Sequence, residues 1–230
     1  MKKAILAAAV LIVLISLAVI IARIPISGQA EEGEDVMRLP QPVLAGTLSL
    51  EQCLGSRRSV REYADRSLTL AEVSQLLWAA QGITSDRGGR TAPSAGALYP
   101  LKLYLVVGSV ESLAPGVYLY DPPSHSIGKV KDGDVRSTLM AAALSQRCVG
   151  SAPVSIVITA VPAITEAKYS DRSMRYIDIE VGCVCQNIYL QCESLGLGTV
   201  SVGAFYDDRV AAAIGTDASP RLIMPIGACR

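Results

Sequence analysis

Apolar residues recur along this chain with two periods, and the period changes from stretch to stretch. Leu70, Val73, Leu77 and Ala80 fall on one helical face. Thr69 precedes them, Glu72 follows Thr69 by three positions as in a capping box, and Gly82 ends the run. Ser49 to Leu54 predicts a short helix and Asp134 to Leu144 another, with an Ala-rich centre. Ser173 to Leu195 predicts the longest, with Ile177, Val181, Val184 and Ile188 at helical spacing and Gly196-Leu197-Gly198 closing it. Asp207 reads as the cap of a helix over Asp208 to Ile214, stopped by Gly215. Strands are predicted at Lys102 to Val107, Val154 to Val161, Val200 to Val202 and Leu222 to Ile226. Val154 to Val161 is almost wholly apolar and β-branched, as in a strand buried on both faces. Val117 to Tyr120 and Ile127 to Val130 flank Pro122-Pro123 and read as a hairpin.

Helices and strands mix without βαβ alternation, which predicts an α+β domain with a mainly antiparallel sheet. No G-x-G-x-x-G follows a strand and opens a helix, so a Rossmann nicotinamide site is unsupported. The domain is placed at 47–230. The stretch 31–46 is acidic and then Pro-containing, with no apolar period, and reads as a linker. Residues 1–30 read as an N-terminal membrane anchor or signal peptide. Lys2 and Lys3 precede an uncharged run from Ala4 to Ala22, long enough as a helix to cross a hydrocarbon core of ~30 Å. Gly28-Gln29-Ala30 offers a cleavage site, but the run is longer than most cleaved signals, which favours an uncleaved anchor. Two lysines lie ahead of it and only Arg23 close after it, so the domain is expected outside the cytoplasm, or secreted if the segment is cleaved.

Lys+Arg and Asp+Glu balance at 21 each, so no global basic field favours nucleic acid as a partner. The one histidine, His125, sits in a turn-like stretch, so a multi-histidine metal site is excluded and no metal is expected. The six cysteines contain no CxxC pair. They read mostly as small buried thiols, with one disulfide open to a domain outside the cytoplasm.

Two stretches carry candidate chemistry. Ser56-Arg57-Arg58-Ser59-Val60-Arg61 holds three arginines and two serines in six residues. Planar guanidinium forks and a hydroxyl can hold a phosphate dianion, although a charge run by itself is more often a solvated loop. Pro93-Ser94-Ala95-Gly96-Ala97-Leu98-Tyr99-Pro100 is a loop of small residues ending in Tyr-Pro. Together they suggest a flat cofactor with a phosphate tail.

These residues resemble a known family. Arg57 to Arg61 resembles the opening signature of the nitroreductase-like FMN flavoenzymes, and Pro93 to Pro100 their second. Arg175-Tyr176, Asp178, Gly182 and Gln186-Asn187, then Leu195 to Gly198, resemble their central helix and its exit. Pro225-Ile226-Gly227 resembles their final strand. Ser-Ala-Gly-Ala-Leu-Tyr-Pro, with Lys168-Tyr169 ahead of Arg175-Tyr176, looks like one branch, the SagB-type dehydrogenases, which include azoline oxidases of thiazole/oxazole peptide biosynthesis.

The resemblance implies a nitroreductase-like fold assembled as a homodimer, with FMN in the interface. Arg57, Arg58, Ser59 and Arg61 would hold phosphate and ribityl, with Arg230 as a further phosphate ligand. Pro93, Ser94, Ala95 and Ala97 would reach the flavin from the partner subunit. Ser201, Val202, Gly203 and Ala204 would lie along the ring. Lys168 and Tyr169 would be the catalytic pair, against the plainer reading of a surface lysine beside a half-buried tyrosine. Nitroaromatic-reducing members have Asn where Ala97 stands, and many continue past the last strand to a basic pair.

The expected activity is an FMN-dependent oxidoreductase moving a hydride between the flavin and a small or peptide-like substrate. One alternative is an NAD(P)H-dependent reductase of nitro compounds or quinones. Another is an anchored flavin-binding domain without turnover.

Overall fold

The computed structural model describes residues 36–230. Within them, seven strands form one antiparallel sheet in the order β1-β4-β3-β2-β5-β7-β6. They are β1 (Val36–Arg38), β2 (Leu101–Val107), β3 (Gly116–Asp121), β4 (Ser126–Asp132), β5 (Val154–Ala160), β6 (Leu197–Thr199) and β7 (Ser219–Ala228). The helices are α1 (Leu50–Ser56), α2 (Leu70–Gln81), α3 (Arg136–Ala142), α4 (Arg147–Ser151), α5 (Pro162–Tyr169), α6 (Ser173–Ser194) and α7 (Asp207–Ile214).

The two-residue period of the strands sorts side chains onto two cores. Leu103, Leu105, Ile156 and Ile158 face α2 and α6, where Leu76, Leu77, Ile177 and Val184 meet them. Tyr104, Val106 and Val157 face the other way, toward Leu139 of α3, Val149 of α4 and Val210 of α7. β5 is buried along its whole length because both faces of the sheet are covered. Each such Val, Leu or Ile contributes roughly 1.5–3 kcal/mol by leaving water.

α2 begins on the capping box read from sequence. The Thr69 hydroxyl accepts the Glu72 amide at 3.2 Å, and the Glu72 carboxylate accepts the Thr69 amide at 2.7 Å. Each such cap is worth roughly 1 kcal/mol.

Several boundaries differ from the sequence expectation. Val36–Arg38, inside the stretch read as a linker, pairs with Ser126–Gly128 as an edge strand. Three residues are too few to show a period. The segment after it is also tied to the domain, with Leu39 buried and the Ser74 hydroxyl bonded to the Pro40 carbonyl at 2.6 Å. The strand expected at Val200–Val202 begins earlier, at Leu197, because Gly196 alone (φ +66°) ends α6. Only Val202 of the expected strand pairs, as a single bridge to Ile223. Asp207 lies inside α7 rather than capping it. Asp207 and Asp208 supply negative charge at its N-terminal turn. Two short helices, α4 and α5, carry no legible period.

His125 is a turn residue, as read, with φ +48°. Its ring is held between the Tyr120 hydroxyl (Nδ1, 2.9 Å) and the Ser74 hydroxyl (Nε2, 2.8 Å). All six cysteines are unpaired. Among the described residues no helix is long and apolar enough to cross a membrane, and no His, Cys, Asp and Glu cluster could hold a metal ion. The run from Ala4 to Ala22, and the anchor or signal segment assigned to it, lie outside the described residues.

Candidate active site

The arginine-rich stretch leaves α1 and runs beside the edge strand β6. Ser59 bridges Thr199 in parallel, and the Val60 amide donates to the Thr199 carbonyl at 2.8 Å. The approach is so close that a Cβ on Gly198 would stand 2.6 Å from Val60. This holds Arg57 and Ser59 against α6. The Arg57 guanidinium lies 5.0 Å from the centre of the Tyr189 ring. It also faces Cys185, one helical turn away, whose thiol burial pushes up to about 11 while the arginine charge opposes the shift.

Tyr189 joins the two halves of the expected cofactor site. Its hydroxyl lies 3.2 Å from Ser59 Oγ and accepts the Ser201 amide at 2.8 Å. Beyond that amide, Val202 is buried while Ser201, Gly203 and Ala204 are exposed. A Cβ on Gly203 would meet nothing within 4 Å. The result is an open ledge of small residues beside a cluster of guanidinium and hydroxyl donors. That donor set fits a phosphate dianion, and the ledge fits a planar ring.

The other predicted phosphate ligands are arranged differently. Arg58 folds back, donating from Nη1 to the carbonyls of Gly55 (3.1 Å) and Arg57 (2.8 Å). Arg61 and Arg230 line a separate cavity of about 490 Å³ together with Arg147 of α4. Arg230 is tied there to the Glu62 carboxylate at 3.0 Å and the Tyr63 carbonyl at 3.1 Å.

The small-residue loop packs on α6 and meets the end of α5. Gly96, Ala97 and Tyr99 all have positive φ (+63°, +55° and +49°). Ser94 holds the turn: its Oγ accepts the Tyr99 amide at 2.9 Å and donates to the buried Glu180 carboxyl. Burial raises the Glu180 pKa, against the opposing bonds from Ser94 and from Gln81 at 3.3 Å. Gln81 in turn accepts from Arg90 Nη1 at 2.8 Å, and the Arg90 guanidinium stacks 4.3 Å from the Tyr99 ring centre. Pro93 and Ala97 are exposed, and Ala95 is partly so.

Lys168 and Tyr169 end at this loop. A Cβ on Gly96 would stand 2.7 Å from Lys168 Nζ and 2.8 Å from the Tyr169 hydroxyl. Lys168 Nζ also lies 5.5 Å from the Tyr169 ring centre, and Tyr169 packs edge-on against Tyr176 at 4.7 Å.

The nitroreductase family model matches residues 54–228, from the end of α1 through the last strand. This chain belongs to the nitroreductase family. A protein of Methanocaldococcus jannaschii assigned to the nitroreductases is 46% identical over 193 residues, covering 84% of this chain and 97% of its own. The crystal structure of a Ralstonia eutropha protein assigned to the same family superposes with TM-score 0.75 at 29% identity, covering 87% of this chain and 92% of that one. A chain of the Escherichia coli microcin synthetase complex, with truncated pro-microcin bound, has the same fold. Its TM-score is 0.65 at 22% identity, over 91% of this chain and 85% of that one.

Within this nitroreductase fold, sequence reasoning missed Tyr189, Glu180 and Arg147. Tyr189 follows Ile188 on the apolar stripe, and its hydroxyl was the one signal that it had a polar task. Glu180 stands beside Val181 on the same stripe, where a carboxylate breaks the apolar pattern. Arg147 lies in a helix too short to be read.

Proposed function

We propose that this member of an oxidoreductase family is an FMN-dependent dehydrogenase of the SagB type, acting as a homodimer on a small or peptide-like substrate. The placement of Lys168 Nζ and the Tyr169 hydroxyl against Gly96 carries this reading. It sets a proton acceptor beside the loop expected to face the flavin. FMN, when bound, supplies a hydride acceptor or donor at N5.

In this reading Arg57 and Ser59 hold the phosphate, with Arg58, Arg61 and Arg230 turning toward it on binding. Ser201 to Ala204 support the ring, and Pro93, Ser94, Ala95 and Ala97 close over it from the partner subunit. As the substrate's hydride departs, Lys168 or Tyr169 takes the proton that leaves with it, so the substrate loses one proton and one hydride. The N-terminal segment places this domain outside the cytoplasm.

An NAD(P)H-dependent nitro or quinone reductase is the second reading, favoured by the 46% identity to a relative assigned to the nitroreductases. Anaerobic mixing with NADPH or NADH separates the two. A dehydrogenase of this type leaves the flavin oxidised on that time scale. Rapid bleaching selects the reductase. Purified protein that is colourless and takes up no FMN defeats both.

A further inference from the structure

The turn that meets Lys168 and Tyr169 is strained, and a chain of buried polar groups holds it. Gly96, Ala97 and Tyr99 all lie in the left-handed region. For Ala97 and Tyr99 this brings Cβ too close to the following carbonyl, so the turn persists only where its surroundings impose it. Contacts at both ends of Tyr99 do so. Its amide donates to Ser94 Oγ at 2.9 Å, closing the turn across Gly96. Its hydroxyl accepts the Arg90 amide at 3.3 Å, and the Arg90 guanidinium covers the ring face 4.3 Å from its centre.

Both contacts lead to Glu180, which is 2% exposed. The Ser94 hydroxyl is bonded to its carboxyl. Gln81, fully buried, bridges the other side: its Nε2 donates to Glu180 Oε1 at 3.3 Å, and its Oε1 accepts from Arg90 Nη1 at 2.8 Å. A carboxamide has one donor end and one acceptor end, so the Arg90 bond fixes which end Gln81 turns toward Glu180. Arg90 Nε is buried without a hydrogen-bond partner, so the guanidinium rests where Tyr99 and Gln81 hold it, not where all its donors are satisfied. α6 supplies a second route to the pair. Glu180 stands one turn beyond Tyr176, and Tyr176 packs edge-on against Tyr169. An apolar side chain would fill this place on the stripe at lower cost, as Ile177, Val181 and Val184 do.

Resting on the reading above, in which Lys168 or Tyr169 takes the substrate proton, we infer that Glu180 is a positioning residue. Through Ser94 it sets the Gly96 turn against which Lys168 Nζ and the Tyr169 hydroxyl rest, and through Gln81 it sets the arginine that grips Tyr99. This task needs hydrogen-bonding atoms on both sides of a planar group and does not need a charge. Glutamine supplies such a group and can bond Gln81 and Ser94 at once, whereas alanine bonds neither.

Tyr169 reports on the turn without flavin or substrate. The full-length chain is labelled with 3-fluorotyrosine, and the Tyr169 fluorine resonance is assigned as the one lost in Tyr169→Phe. Packing on the Tyr176 ring makes that resonance sensitive to displacement. Glu180→Ala and Ser94→Ala should each move it by more than a linewidth, and Glu180→Gln should leave it in place. If Glu180 serves stability alone, Glu180→Ala lowers the melting temperature while the Tyr169 resonance stays put in both alanine variants, and the inference is overturned. A Glu180→Gln chain that moves the resonance as far as Glu180→Ala overturns it too. Should Glu180→Ala fail to fold, Ser94→Ala decides by the same two patterns, since it removes only a hydroxyl from a half-buried residue. A wild-type chain that takes up no FMN defeats the functional reading above, and the fluorine signals still decide whether Glu180 sets the turn.

Discussion

The Tyr189 hydroxyl accepts the backbone amide of Ser201 at 2.8 Å. The same oxygen lies 3.2 Å from Ser59, so one buried phenol on α6 spaces the arginine segment from the ledge expected to carry the ring. Removing it releases the Ser201 amide and Ser59. Ser201 and Ser59 are open to water, so the loss is that of an ordinary hydrogen bond, roughly 0.5–1.5 kcal/mol. Tyr189→Phe is expected to lower unfolding stability by that amount and to weaken FMN and riboflavin together. Urea denaturation and flavin titration check both effects.

Arg57→Ala is expected to act on the phosphate alone. A charge-assisted contact is worth roughly 1.5–3 kcal/mol. At ~1.4 kcal/mol per tenfold, FMN affinity should fall by roughly ten- to a hundredfold. Riboflavin lacks the phosphate and should bind as it does to wild type. Equal losses for both ligands would refute the phosphate role.

Gly96→Ala puts a methyl group where Lys168 Nζ and the Tyr169 hydroxyl now stand, at a φ of +63°. The backbone strain costs about 1–2 kcal/mol. The larger effect is displacement of the pair, and misplacement by ~1 Å can cost roughly a hundredfold in rate. Turnover should fall by about that factor, with FMN affinity changed only a few-fold. Steady-state rates beside flavin titration read the difference.

Glu180 gives the site a pH dependence with a definite sign. Burial raises its folded-state pKa above the unfolded value, so the folded chain holds the proton more tightly. Stability is therefore lost as pH rises from the ordinary glutamate range through the raised value. Arg90 is the charged group that opposes the shift, and neutral Gln81 and Ser94 complete the shell. Glu180→Gln should flatten this part of the stability–pH curve and stabilise the protein on its alkaline side. Thermal melts from about pH 4 to pH 8 show it, and an unchanged slope would remove Glu180 from the account.

The sequence alone determined the elements whose period is long enough to see. The stripe Ile177, Val181, Val184 and Ile188, the Thr69–Glu72 box and the apolar β5 are local patterns, and local patterns survive without knowledge of neighbours. It also determined which stretches carry unusual chemistry, because arginine clusters and small-residue loops stand out by composition. Short elements without a visible period stayed hidden: α4 and α5 show none, and β1 is held by a partner distant in sequence, Val36–Arg38 by Ser126–Gly128.

Which candidate residues meet was decided only by the tertiary structure. Ser59 and Tyr189 are 130 positions apart in sequence, and the parallel bridge of Ser59 to Thr199 makes them neighbours. Arg58 and Arg61 belong to the same short segment as Arg57 but end elsewhere. Arg58, next to Arg57 and so on the opposite side of the extended chain, folds onto carbonyls at the end of α1, and Arg61 opens on Arg147 and Arg230. The separation of the arginine cluster from Lys168–Tyr169 likewise follows from the length of α6 and the register of β5 with β7. Sequence spacing carries no information about that distance, because the sheet between the two clusters is built from strands that are not consecutive in the chain.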